Sequence, residues 1–230
     1  MYFDLNGTLL KFDSSSEAWN DWLHALYDEL HKIGLKLEIN EFSLNYDKFF
    51  DNLNITKNEN CTLYESKIKV LLQKLNLNSK PNEIVRKIAN KTVNAWGNHL
   101  YIQESTIETL LFLKKSMKIC LISNYDHPPF VYNMVNRFGL QDIFDKIFIS
   151  GEVGFKKPDP QIFNIALKYF NFKPKEVRYV GDSIEDYKGA INSGIKPIII
   201  EDNTILQQIS ASNFDTIKEV SELPGLLNLI

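Results

Sequence analysis

Cysteine is nearly absent: Cys61 and Cys120 are the only two in 230 residues. Two scattered thiols make neither a disulfide framework nor a structural zinc site, and they read as the reduced thiols of a cytosolic protein. Long apolar runs are missing as well. No stretch approaches the roughly 18 residues of a membrane span, and no leader-type segment precedes Asp4, so neither a membrane anchor nor a secretory route is expected. A basic excess is lacking too. With 26 Lys and Arg against 29 Asp and Glu the net charge is −3, which argues against a general nucleic-acid surface. There is no internal repeat and no low-complexity tract. What remains is ordinary globular material, 44% hydrophobic and 24% charged, long enough for one large domain or a core with an insertion.

The texture changes twice along the chain. Met1 to Asp4 reads as a short buried strand that runs into a polar turn. Residues 12–100 then look helical throughout. Trp19, Trp22, Leu23, Leu26, Leu30 and Ile33 recur at three- and four-residue spacing, as one face of an amphipathic helix does. Ser14, Ser15 and Ser16 are N-cap candidates for it, with Glu17 favourably placed in the first turn. Ile68, Leu71, Leu72 and Leu75 repeat the spacing, as do Ile84, Val85 and Ile88. Asn-rich stretches at 51–60 and 76–82 read as connections, and Pro81 as a first-turn residue of the helix that follows.

Beyond residue 100 strands and helices alternate. Lys118 to Ser123, Ile147 to Ser150, Val177 to Val180 and Pro197 to Ile200 are short, apolar and β-favouring, and helical patterns lie at 128–138, 159–170 and 184–193. That alternation implies right-handed crossovers and a parallel sheet covered on both faces, an α/β doubly wound fold. Such sheets take ligands beyond the carboxyl ends of their strands. Asp4, Ser123 and Asp182 each fall at such an end.

The residues gathered there suit phosphoryl transfer. Asp4 is a carboxylate able to attack phosphorus in line. Thr8, Ser123 and Asn124 offer hydroxyls and amides to phosphate oxygens. Lys157 offers a positive charge to neutralise nucleophile and phosphoryl group. Asp182 and Asp186, one helical turn apart, are oxygen ligands of the kind Mg²⁺ prefers. Taken singly, each has a plain structural reading as a turn, cap or solvated-loop residue. Four such motifs in order at the ends of one predicted sheet make a different case.

Phe3-Asp4-Leu5-Asn6-Gly7-Thr8-Leu9, the run Ser150-Gly151-Glu152-Val153-Gly154 with Lys157-Pro158-Asp159-Pro160, and Gly181-Asp182-Ser183 together resemble the haloacid dehalogenase superfamily of hydrolases. The resemblance covers nearly the whole chain and is densest from Leu121 to Ile200. It implies a catalytic core at 1–11 and 101–230, and a helical cap inserted at 12–100 that hinges on two linkers. It implies Asp4 as nucleophile through an aspartyl-phosphate, Ser123 as phosphate ligand and Lys157 as stabilising cation. Asp182 and Asp186 follow as magnesium carboxylates, with the backbone carbonyl of Asn6 as a further ligand.

Asn6 departs from the family pattern. Phosphatases of this kind carry an aspartate there, which protonates the leaving oxygen and later activates water; an amide does neither. Three explanations stand open: a substrate whose leaving group needs little acid help, an impaired phospho-ligand-binding protein, or a substitution that traps a complex. A 2-haloacid dehalogenase is a further alternative, since halide leaves without a proton, but it has no use for the magnesium carboxylates. The expected substrate is a small phosphorylated metabolite, selected by the cap, for which Trp19, Tyr46, Phe49 and Phe50 are candidate contacts or, more simply, cap core. His127 reads as a surface residue within reach of the site. No nucleic-acid or membrane partner is expected, and the chain is expected to be a monomer or homodimer.

Overall fold

The computed structural model describes residues 1–229 apart from 47–48, 51–52, 54, 56–59, 78–79, 202–205 and 210–213. Much of the two Asn-rich connections therefore lies outside the described residues. Two short strands, β1 (Tyr2–Phe3) and β2 (Lys11–Phe12), come first, followed by helices α1 (Ser15–Lys32), α2 (Ile39–Tyr46), α3 (Leu63–Lys74) and α4 (Asn82–Gly97). Then come β3 (Leu100–Tyr101), α5 (Glu104–Lys114), β4 (Cys120–Ser123), α6 (Pro128–Arg137), β5 (Lys146–Ile149) and α7 (Ser150–Val153). The chain continues through α8 (Pro160–Phe170), β6 (Arg178–Gly181), α9 (Ile184–Asn192), β7 (Lys196–Ile200), β8 (Asp215–Ile217) and α10 (Leu223–Leu226). Among the described residues no helix is long and apolar enough to cross a membrane.

Six strands form one parallel sheet in the order β5-β4-β1-β6-β7-β8. From β1 the chain steps through β4 to β5, then returns to the other side of β1 for β6, β7 and β8. This is the doubly wound α/β arrangement, and its direction of winding reverses beside β1. The two residues of β1 are wholly buried, as a central strand requires: Phe3 lies opposite Leu121 on one side and Val180 on the other. One core packs Tyr2, Cys120, Ile122, Phe148 and Tyr179 of the sheet against Ile162, Phe163 and Ala166 of α8. Each large apolar side chain so buried contributes about 1.5–3 kcal/mol.

Several elements escape the sequence pattern, among them the short strands β2 and β3 at the edges of the segment read as helical throughout. Helix α5 buries Thr106 and Thr109 beside Leu110 and Leu113 while Leu111 and Phe112 stay exposed, so its apolar period is blurred. Strand β8 is only Asp-Thr-Ile, and its place comes from pairing with β7, Ile200 opposite Ile217, rather than from its own composition. Ser150, read as a strand end, begins α7.

The chain divides into two compact units: Met1–Lys11 with Tyr101–Tyr125 and Val135–Ile230, and Phe12–Leu100 with Asp126–Met134. The first holds the six-stranded sheet. The second holds α1 to α4 and takes in the start of α6, a segment that the sequence pattern assigns with the sheet. The reason is local. Asp126 receives the Tyr64 amide at 3.1 Å and pairs with Lys67 at 2.7 Å, and the Phe130 ring lies 5.7 Å from that of Trp96.

Within the helical unit, α1 starts on Ser14, whose Oγ accepts the Glu17 amide at 3.3 Å, and α3 starts on Thr62 in a capping box with Glu65. Pro81 is the N-cap of α4 rather than a residue of its first turn. Tyr46, Phe49 and Phe50 stack among one another and against Phe42 and Tyr64, whereas Trp19 is 58% exposed. His127 is buried, not on the surface. Its Nδ1 lies 2.9 Å from Thr62 Oγ1 and its Nε2 lies 3.0 Å from Asn90 Oδ1. Burial holds the imidazole below its ordinary pKa.

Candidate functional site

The carboxyl ends of β1, β4 and β6 open into a cleft of about 430 Å³ lined by Asp4, Asn6, Ser123, Asn124, Lys157, Asp182, Ser183 and Asp186, with Lys156 and Glu185 exposed on it. Asp4 extends the β1 ladder, its amide donating to Val180 O at 2.9 Å. The chain then turns tightly: Gly7 N donates to Leu10 O, and both Leu9 N and Leu10 N donate to Leu5 O. Gly7 has φ +85°, and a Cβ there would run into the Asp182 carboxylate. Only glycine meets both demands. Gly181 is constrained in the same way, since its Cβ would stand 2.5 Å from Asp186 Cγ.

Lys157 is the hub of the cleft. Its ammonium contacts Asp4 Oδ1 and donates to Asp186 Oδ1 at 2.8 Å, Tyr179 Oη at 3.0 Å and Ile122 O at 3.2 Å. It is 3% exposed, so these contacts replace water. Burial alone favours the neutral amine, but the negative charges of Asp186 and Asp4 outweigh it and hold the group well above the usual lysine pKa. The loop that carries Lys157 is clamped by Asn124, whose Oδ1 accepts the Lys157 amide at 2.8 Å and whose Nδ2 donates to the Lys157 carbonyl at 2.9 Å. The Lys157–Pro158 peptide is cis.

The three carboxylates differ. Burial pushes Asp4 up to about 7, with Lys157 pulling it down and Asp186 and Asp182 repelling its charge. Burial pushes Asp182 up to about 6 against a 2.6 Å hydrogen bond from Thr8 Oγ1. Asp186 is also buried, but Lys157, with further hydrogen bonds from Tyr179 and Ser183, holds it below its ordinary value. An oxygen atom from each of the three lies within 4.8 Å of the others. Fully ionised they carry three negative charges against the one of Lys157, a deficit that a single divalent cation closes. The Asn6 Oδ1 atom is buried without a hydrogen-bond partner. An all-oxygen, charge-deficient donor set of this kind suits Mg²⁺.

The residues expected at the site line this cleft except Thr8, and two are engaged differently from expectation. Thr8 spends its hydroxyl on Asp182, and Asn124 spends both ends of its amide on the backbone of Lys157. Two neighbours escaped the sequence reading. Tyr179, the one hydroxyl in an otherwise apolar strand core, was the available signal for a polar contact within the sheet. Lys11 contacts Gly7 O with its ammonium, and burial holds it below the usual lysine value despite the attraction of Asp182, Glu219 and Asp4. Nothing in its local sequence marks that contact.

The chain is similar to several known proteins. The family model described as haloacid dehalogenase-like hydrolase matches residues 1–200. A glyceraldehyde 3-phosphate phosphatase of Pyrococcus furiosus is 41% identical over 92 residues, covering 40% of this chain and 38% of that protein. The chain thus matches less than half the length of such curated relatives. Among solved structures, an HAD phosphatase from Thermococcus onnurineus has a TM-score of 0.68 at 22% identity, covering 98% of this chain and 96% of that one. A 2-haloacid dehalogenase from Pseudomonas syringae pv. Tomato DC3000 scores 0.67 at 19% identity, covering 99% and 97%. At these identities the two structures speak to the fold alone, and the fold does not separate phosphate from halide chemistry.

Proposed function

Because this chain belongs to the haloacid dehalogenase-like hydrolase family, we propose that it is a Mg²⁺-dependent phosphohydrolase of a small phosphorylated metabolite. The observation that carries the reading is the Asp4 carboxylate held by Lys157 in a cleft that also offers Asp182 and a deficit of positive charge. The phosphatase among the similar proteins supports a substrate of small-metabolite size. Halide displacement has no need of such a carboxylate set, which is why the dehalogenase reading ranks lower. The helical unit is read as the cap that selects the substrate, and the protein as a cytoplasmic monomer or homodimer without a nucleic-acid partner.

In this mechanism Asp4 attacks phosphorus, the bond to the leaving oxygen breaks, and water then cleaves the aspartyl-phosphate. Lys157 orients the attacking carboxylate and balances charge on the phosphoryl oxygens. Ser123, at the end of β4, faces the same cleft and binds phosphate. Asp4, Asp182 and the Asn6 carbonyl would hold Mg²⁺, whose charge would further neutralise the phosphoryl group. Asn6 donates a hydrogen bond to the leaving oxygen but transfers no proton. Turnover is therefore fastest on acyl phosphates and other substrates with good leaving groups.

The test is phosphate release from a panel of phosphoesters and acetyl phosphate, with Mg²⁺ and with EDTA. Metal-dependent release, greatest for acetyl phosphate, is the expected result. Ligand binding without turnover, in this protein and in Asn6→Asp alike, would favour a binding protein. Metal-independent halide release from a 2-haloacid would favour the dehalogenase.

A further inference from the structure

We propose that Asp186 is not a metal ligand but, with Tyr179, a positioning residue that fixes the Lys157 ammonium against Asp4. This inference rests on the phosphohydrolase reading and departs from the expectation that Asp182 and Asp186 share the cation. The ground is hydrogen-bond capacity. An ionised carboxylate offers about four lone-pair sites. Asp186 accepts from five protein donors: Tyr179 Oη at 2.6 Å and Lys157 Nζ at 2.8 Å on Oδ1, and Ser183 Oγ at 2.7 Å, Ser183 N at 3.0 Å and Asp182 N at 3.2 Å on Oδ2. Its side chain is 1% exposed. For Asp186 to bind a cation directly, some of these donors must be given up in a buried site, where unmade hydrogen bonds are costly.

Asp182 is the opposite case. It takes one hydrogen bond, from Thr8, and faces the cleft. Asp4 faces the cleft too, with Lys157 on one oxygen. The Lys157 ammonium has three N–H groups. Four acceptors surround them, Ile122 O at 3.2 Å being the longest, and Asp186 and Tyr179 are the side-chain anchors that hold the ammonium against Asp4; the Tyr179 hydroxyl joins the two by donating to Asp186 while accepting from Lys157. The Tyr179 ring packs edge-on to Phe163 at 4.9 Å, so Tyr179→Phe removes one oxygen and keeps the packing.

The experiment is Mg²⁺ titration by calorimetry on the metal-free protein and on Asp182→Asn, Asp186→Asn and Tyr179→Phe, alongside kcat and KM for phosphate release and a check of folding by circular dichroism. Asp182→Asn should weaken Mg²⁺ binding about tenfold or more, because it turns a carboxylate that faces the cation directly into a neutral amide. Asp186→Asn and Tyr179→Phe should bind Mg²⁺ within about threefold of the parent while kcat falls by up to about 100-fold, the scale of a misplaced reacting group. A folded Asp186→Asn that loses Mg²⁺ as completely as Asp182→Asn overturns the proposal. If Asp186→Asn does not fold, Tyr179→Phe decides: retained Mg²⁺ affinity with lowered kcat supports it, and lost affinity or unchanged kcat overturns it. A parent protein that binds no Mg²⁺ and releases no phosphate overturns the phosphohydrolase reading as well.

Discussion

The two compact units bury polar groups in different ways. In the helical unit they form neutral, directed chains, and the buried carboxylates Glu29 and Glu65 are matched by Lys32, Lys87 and Arg86. Trp22 Nε1–H donates to Tyr64 Oη at 2.9 Å, Tyr64 is 2.7 Å from Thr92 Oγ1, and Thr92 donates onward to Ile88 O at 3.0 Å. His127 is likewise held at both nitrogens, by Thr62 and Asn90. These groups satisfy one another and leave no charge behind, as buried polar groups in a stable core do. In the sheet unit the buried groups of the cleft are charged, and three carboxylates gather around one buried ammonium. An unbalanced buried charge is costly to keep and marks a place where a ligand completes the set. Satisfied burial stabilises; unsatisfied burial points to chemistry.

The contrast breaks most completely at Lys157. Replacing it with Met should abolish measurable phosphate release and lower the unfolding free energy by about 3–5 kcal/mol, because Asp4 and Asp186 are left buried without their cation; phosphate assay and urea denaturation check the two halves. Asn6→Asp acts in the other direction. Restoring a proton-transfer group should raise release from poor leaving groups by about 10²–10⁴-fold while leaving acetyl phosphate little changed. An equal rise for all substrates would mean that the amide limits something other than leaving-group protonation.

The third prediction concerns pH. Asp4 and Asp182 titrate at about 7 and about 6 in the folded, metal-free protein against an ordinary 3.8, so the folded chain holds protons that the unfolded chain has released. Their contribution to stability is complete below about pH 4 and is lost as pH rises through about 6 to 7. Melting temperature in EDTA should therefore fall across that window relative to melting in saturating Mg²⁺, which holds both groups ionised. The two curves should converge in Asp4→Asn/Asp182→Asn. Smallest is Tyr64→Phe in the helical unit: about 1–3 kcal/mol of stability lost by urea denaturation, from the stranded Trp22 indole N–H, with Mg²⁺ affinity unmoved.

The chemistry was legible in the sequence because it is written in short local runs. Asp4-Leu5-Asn6-Gly7-Thr8 and Gly181-Asp182-Ser183 each place a carboxylate at the end of an apolar strand, and strand ends are readable from periodicity alone. The parallel sheet was legible for the same reason, through strands alternating with helices. Side-chain engagement was not. Nothing in Ser123-Asn124-Tyr125 says that the Asn124 amide will grip the backbone of a residue 33 positions later, or that Thr8 will turn to Asp182, 174 positions away. His127, following the loop after Ser123, read as a surface residue, yet the partners that bury it are Thr62 and Asn90.

By itself, then, the sequence determined five of the six strands of the sheet, most of the helices and which residue types stand at the ends of β1, β4 and β6, because backbone periodicity and turn chemistry act over a few residues. It also determined that position 6 holds an amide with no proton to give. Only the tertiary structure decided how the charges are shared. Lys157 reaches Asp4 across 153 positions and Asp186 across 29, and Tyr179 enters between them from β6. Which carboxylate is saturated and which stays open depends on those crossings, since a buried group must find its partners wherever the chain happens to bring them.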